Sequence, residues 1–214
     1  MSHKPIRVVY DMDGVLNYLN EHVFNKLGIP DKLDIIKRYS MRENAELGII
    51  TSEQARVINS LYREPEIFKE VHKLDGIERL MDIENRYKGI DSNIGSRISV
   101  SIYSQCLSKE IYEVKYAFVK AHIPTMPMDR VHLTTDTTKK AVDWATIIVE
   151  DSLENILRYD KEVVKVLIDK PYNKFENFEE LREKIAEAGK IIRVGSLNEA
   201  IDVVEKVVAS MLDE

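Results

Sequence analysis

Cys106 is the only cysteine in the chain, so no disulfide can form within it, and a reducing, cytoplasmic setting is the expectation. No apolar stretch approaches the ~20 residues that span a bilayer. The opening Met-Ser-His-Lys-Pro runs directly into a strand-like segment without a signal-peptide core. There is no excess of positive charge either: 31 Lys and Arg stand against 37 Asp and Glu, a net charge of −6. Without a Lys/Arg run interleaved with aromatics, neither a nucleic-acid polymer nor a membrane is an expected partner. No arginine follows Cys106 at the spacing of a thiolate phosphate loop, and Gly-x-Ser-x-Gly, P-loop and dinucleotide fingerprints are missing. His22, His72, His122 and His132 lack metal-ligand spacing. There are no internal repeats and no low-complexity linker. At 214 residues the chain can bury a core without metals or disulfides.

What is present begins with Asp11-Met12-Asp13-Gly14-Val15-Leu16, directly after the apolar run Ile6, Val8, Val9, Tyr10. A short β-branched run reads as a buried strand, which places both aspartates where it opens into a loop. Two carboxylates one residue apart repel unless a cation sits between them, and Gly14 permits a sharp turn. As a solvated turn the string would be unremarkable chemically. As a site it offers a nucleophile, a proton carrier and a place for a divalent metal.

After this motif the pattern becomes helical. Leu16, Leu19, Val23, Phe24 and Leu27 share one helix face, ended by Gly28-Ile29-Pro30. Further helices are predicted over about 31–39, 42–47, 52–62 and 65–73, with Thr51 and Gln54 at capping-box spacing. Residues 17–74 therefore read as an all-helical insert. Asp75 and Glu78, also at capping-box spacing, open a return to the main fold. Strands are predicted at 98–103, 130–134, 146–149, 163–168 and 191–194, alternating with helices at 111–121, 138–144, 178–188 and 197–212, the last capped by Ser196 and Glu199. Residues 88–95 read as an exposed loop. The βαβα alternation over 1–16 and 75–214 implies an α/β fold whose mostly parallel sheet carries helices on both faces. Ligands bind such sheets at the C-terminal strand ends, where Asp11 falls.

Other strand ends supply fitting partners in chain order. Ser104, followed by Gln105, closes the 98–103 strand and can hold phosphate oxygens. Lys139-Lys140 precedes the next strand and can offset phosphoryl charge. Glu150-Asp151 follows Thr146-Ile147-Ile148-Val149 and repeats the repulsion of the first motif; hard oxygen ligands suit Mg²⁺. Each has an ordinary reading alone, as a turn serine, a solvated lysine pair or a surface acidic pair. Their succession on strand ends is what points to phosphoryl transfer.

On these residues the chain resembles the phosphatases of the haloacid dehalogenase superfamily, and within them the 5′(3′)-deoxyribonucleotidases. Asp11 to Leu16 matches the first motif, Ser104 the second, and Lys140 stands ten residues before Glu150 as the third motif's lysine does before its acidic pair. Tyr112 to Val119, the Phe68-to-Gly76 return and Leu167 to Asn173 resemble further family segments. The resemblance implies a Rossmann-like core with a small helical cap after the first strand. It implies Asp11 as nucleophile and Asp13 as acid and base. It gives Mg²⁺ to Asp11, the Asp13 carbonyl and Asp151, with Glu150 behind them or as an alternative ligand, and phosphate to Ser104, Gln105 and Lys140 (or Lys139). Phe24, Tyr39, Tyr62 and Phe68 are the cap aromatics on offer to a base. The implied partner is a small phosphorylated substrate, a nucleoside monophosphate; self-association stays open. A sugar phosphate, a phospho-accepting signalling module and a non-catalytic binding descendant are the alternatives.

Overall fold

The computed structural model describes residues 5–90, 97–135 and 142–213. Six strands form one parallel sheet: β1 (Ile6–Tyr10), β2 (Ile98–Gln105), β3 (Val131–Thr134), β4 (Ile147–Glu150), β5 (Val164–Ile168) and β6 (Ile191–Val194). Their order across the sheet is β3-β2-β1-β4-β5-β6. Val8 and Val9 are both fully buried although successive strand side chains face opposite ways, so both faces of β1 are covered. Val8, Val149 and Val166 pack into one apolar cluster with helix Leu197–Asp213. Val9, Ile148 and Leu167 pack into a second with Leu153, Ile156 and Phe178 on the other face. Each such fully buried aliphatic side chain stabilises the fold by roughly 1.5–3 kcal/mol.

This order has a functional consequence. The chain steps outward from β1 to β2 and β3, then returns to place β4 on β1's other side. The reversal opens a crevice between the ends of β1 and β4, the usual ligand position in such sheets. Tyr10 pairs with Val149, and Asp11 N–H donates to the Val149 carbonyl at 2.9 Å. Asp11 and Glu150 are thereby held side by side.

Five helices follow β1: α1 (Leu19–Lys26), α2 (Pro30–Leu33), α3 (Met41–Glu46), α4 (Ser52–Leu61) and α5 (Pro65–Glu70). Gly28 takes the left-handed conformation, with φ +69°, that ends the first of them. The Thr51–Gln54 capping box forms with both bonds, at 3.0 and 2.8 Å. Leu16, expected in the first helix, lies instead in the loop before it. The helix expected over 31–39 stops at Leu33. The buried Asn44 side chain accepts from Lys37 and Arg38 N–H and donates to the Arg38 and Ser40 carbonyls, so these backbone groups are satisfied without a helix.

Other boundaries also shift. The Asp75–Glu78 capping box does not form: Gly76 (φ +96°) leads into a short 3₁₀ turn, Ile77–Arg79, and Glu78 pairs with Lys73. Helix Asp82–Ile90 runs through residues expected in the 88–95 loop; 91–95 lie outside the described residues. The segment 178–188 divides into a 3₁₀ turn, Glu179–Leu181, and helix Arg182–Glu187. Ser196 accepts from Glu199 N–H at 3.2 Å, while the Glu199 carboxylate takes Gly195 N–H at 2.8 Å. Of the helix expected over 138–144, residues 138–141 lie outside the described residues, and Asp143 and Trp144 form a turn. Among the described residues no helix is long and apolar enough to cross a membrane.

Candidate active site

Strand β2 extends through Gln105, two residues beyond the expected end, so Ser104 sits within the strand and Gln105 is its last residue. Glu150 is likewise the last residue of β4, and Asp151 the next. Asp11, Asp13, Tyr39, Tyr103, Ser104, Gln105, Glu150 and Asn155 surround a narrow cleft of about 40 Å³ at these ends. The expected residues on three strands therefore meet in one place. Lys139 and Lys140 lie outside the described residues.

Two charge systems share the cleft. In the first, Asp11, Glu150 and Asp151 each bring a carboxylate oxygen within 4.8 Å of the others, the one such acidic group among the described residues. Burial, then the charges of Glu150, Asp13 and Asp151, push the Asp11 carboxyl well above its usual range. Burial also raises Asp151, to about 7, against the opposing hydrogen bond from Tyr172 and the charge of Lys170. Three closely placed, dehydrated carboxylates favour a bound cation, and an all-oxygen donor set fits Mg²⁺. Glu150 is fixed by Ser152 N–H at 3.3 Å and by Asn155 Nδ2 at 3.0 Å.

In the second system Lys115, only 1 % exposed, reaches in from helix Lys109–His122. Its ammonium pairs with Asp13 and donates to Ser104 Oγ at 3.0 Å and the Gln105 carbonyl at 2.7 Å. All three of its N–H donors are thus committed, whereas the Ser104 hydroxyl proton is left for an incoming oxygen. Sequence reasoning placed Lys115 only within a resembling segment and gave it no role. Its signal is nonetheless present: Ile111, Lys115, Phe118 and Val119 lie on the buried stripe of one helix, and a charged residue on such a stripe needs a polar destination.

The loop from Asp11 to Tyr18 is organised by Asn17, fully buried, which donates to Asp13 Oδ1 at 3.2 Å and accepts from Gly14 and Leu19 N–H. Gly14 has φ +77°, and a Cβ there would collide with Asp151 Oδ2. Glycine is required twice over, by conformation and by contact.

Beside the cleft lies a cavity of about 400 Å³, to which Asp13, Lys115 and Gln105 also belong. Tyr39, Tyr62 and Phe68 form its aromatic walls, and Asn20, Asn59 and Arg63 add polar groups. Phe24 is not among them: it lies fully buried in the apolar core on the inner face of α1. Cys106 is also buried, which pushes its thiol up to about 11 and leaves it unreactive.

No protein-family model matches the sequence, and no curated protein matches it. Some solved structures are similar to it over most of their length. A haloacid dehalogenase hydrolase of family IA, variant 3, from Entamoeba histolytica is similar at 14 % identity and a TM-score of 0.46, over 91 % of this chain and 94 % of that one. A haloacid dehalogenase-like family hydrolase from Streptococcus pneumoniae is similar at 12 % identity and 0.49, over 95 % and 100 %. A Bacteroides vulgatus protein, provisionally named a β-phosphoglucomutase, is similar at 12 % identity and 0.48, over 100 % and 92 %. These likenesses are loose, and the chemistry of the site rests on its own side chains.

Proposed function

We propose that the chain is a Mg²⁺-dependent phosphomonoesterase of the haloacid dehalogenase type, with residues 1–16 and 75–214 as its core and 17–74 as a helical cap. The observation that carries this reading is the meeting of Asp11, Glu150 and Asp151 with the Asp13–Lys115–Ser104 cluster around one cleft. An Asp11 oxygen attacks phosphorus, and the ester P–O bond breaks as Asp13, protonated by the incoming phosphate monoanion, passes that proton to the departing alkoxide. Lys115 then offsets the charge left on Asp13. Asp13 next takes a proton from water, which attacks the aspartyl phosphate and releases phosphate and Asp11. Mg²⁺ bound by Asp11, the Asp13 carbonyl, Asp151 and Glu150 supplies neutralising charge. Ser104, the Gln105 amide and Lys140 hold the phosphoryl oxygens; Gln105 Nε2 is buried without a partner among the described residues.

The substrate we assign is a nucleoside monophosphate in the cytoplasm. Tyr39, Tyr62 and Phe68 beside Asp13 suit a flat base, with Asn20, Asn59 and Arg63 for its polar edges. A sugar phosphate is the second reading, favoured by the same amides, which would serve hydroxyl groups equally well. Phosphate release with Mg²⁺ from a panel of deoxynucleotides, ribonucleotides and sugar phosphates tests both. Nucleotide turnover that exceeds sugar-phosphate turnover is expected, and Asp11→Asn abolishes it. Release from no member of the panel removes the phosphatase reading.

A further inference from the structure

The cavity wall and the acidic group are joined by an unbroken hydrogen-bond chain. Tyr62, just past the end of α4, donates its hydroxyl to Asn20 Oδ1 at 2.5 Å. Asn20, on α1, donates through Nδ2 to the Tyr172 hydroxyl oxygen at 3.0 Å. Tyr172, which follows β5 and is 1 % exposed, donates to Asp151 Oδ2. Every donor points the same way and the chain ends on a carboxylate, the arrangement in which successive bonds polarise and strengthen one another. The Tyr172 proton is committed to Asp151, so a flipped Asn20 amide would set its oxygen against a hydroxyl with no proton to offer, which fixes the amide orientation.

The chain is held from the side as well. The Tyr39 ring stands edge-on to Tyr172, with centroids 5.8 Å apart, and lines both the cleft and the cavity. Asp151 Oδ2 and the Tyr172 hydroxyl close over Gly14, where even a Cβ has no room. The Asp151 main chain is tied down too, because Asn173 Nδ2 donates to its carbonyl at 2.7 Å.

We propose that Tyr172 is a positioning residue for the cation-binding carboxylate Asp151, and that Asn20 and Tyr62 extend this control to the wall of the substrate cavity. Tyr172 commits one Asp151 oxygen and leaves the other for the cation. Partners of this kind, one step behind a metal ligand, commonly govern affinity by 10- to 100-fold. Tyr62 hydrogen-bonds to Asn20, not to a carboxylate of the acidic group. Its hydrogen-bonded route to Asp151 runs through Asn20 and Tyr172. The inference rests on the metal-dependent reading of the site.

Calorimetric titration of the full chain with Mg²⁺ alone tests it without recourse to activity. Tyr172→Phe is expected to weaken Mg²⁺ binding about tenfold, and Tyr62→Phe about threefold. The double variant is expected to bind no more weakly than Tyr172→Phe, because both changes cut one chain. Melting curves of each variant establish that it is folded, and Tyr62→Phe keeps the cavity's aromatic wall. Unchanged Mg²⁺ affinity in Tyr172→Phe, or losses that multiply in the double variant, overturn the positioning chain while wild-type binding keeps the metal site. A wild-type chain that binds no Mg²⁺ removes the metal-dependent reading and this inference together.

Discussion

Lys115 Nζ lies 3.0 Å from Ser104 Oγ, and the same ammonium pairs with Asp13. A single buried cation thereby sets the geometry of a phosphate-facing hydroxyl and of the proton-carrying carboxylate. Lys115→Met is expected to lower kcat by about 10²–10⁴-fold, the range for loss of effective acid–base catalysis. It should also destabilise the metal-free protein by about 3–5 kcal/mol, because Asp13 loses its partner. Lys115→Arg should not restore activity, since a planar guanidinium cannot serve three acceptors arranged around one nitrogen. Steady-state kinetics and denaturant melts provide both readouts, and near-wild-type kcat in Lys115→Met would sink this role.

Gly14→Ala carries a different expectation. The residue must hold φ +77° and must face Asp151 Oδ2 at a distance no Cβ tolerates. The left-handed conformation alone costs an alanine roughly 1–2 kcal/mol, and relief of the contact displaces Asp151 or the loop. The variant should therefore melt earlier and need more Mg²⁺ for half-maximal activity. A wild-type Mg²⁺ requirement would show that Asp151 is not confined by the loop.

The sheet, the helices that follow β1 and the acids at strand ends were legible in the sequence because each rests on local pattern. Val8-Val9-Tyr10 followed by Asp-x-Asp-Gly specifies a buried strand opening into a loop, whatever lies elsewhere. The parts that could not be read depend on long-range contact. Tyr172 reaches Asp151 from a different strand end, and Asn20 reaches Tyr172 across 152 positions of sequence. Lys115 arrives by helix, where only its place on an apolar stripe betrayed it. Phe24 looked available to a base because an aromatic near the motif is ambiguous; the α1 face it occupies is the core side. Asn44 could not be foreseen to capture the backbone of 37–40, which is why a helix expected through 39 stops six residues short.

The acidic group also predicts how stability responds to pH. Burial raises Asp151 to about 7 in the folded chain, whereas an unfolded aspartate titrates near ~3.9. Below the lower value both states carry the proton and the site costs nothing. As pH rises through this window the unfolded chain gives up its proton first, so stability falls until the folded group has titrated as well. The metal-free protein should therefore melt at progressively lower temperature from about pH 4 to about pH 7. Added Mg²⁺ should raise the melting temperature more at the upper end, because the cation competes with protons for the same carboxylates. A Mg²⁺ gain that shrinks as pH rises would contradict the site.

Tyr39 offers a test of what the cavity selects. It is 39 % exposed, borders both the phosphate cleft and the larger cavity, and is braced by its edge contact with Tyr172. A ring so placed is a platform for a base, and such stacking is worth about 1–3 kcal/mol. Tyr39→Ala should therefore raise KM for a nucleoside monophosphate about tenfold, a change equivalent to ~1.4 kcal/mol. Because the ring also borders the cleft and braces Tyr172, kcat should fall to the same degree for every substrate, and the difference in KM between substrates is the readout. A non-aromatic substrate such as glycerol phosphate gains nothing from stacking, so its KM should stay close to the wild-type value. Equal losses for both substrates would mean that Tyr39 shapes the cleft rather than recognising a base, and the balance would then move towards the sugar-phosphate reading.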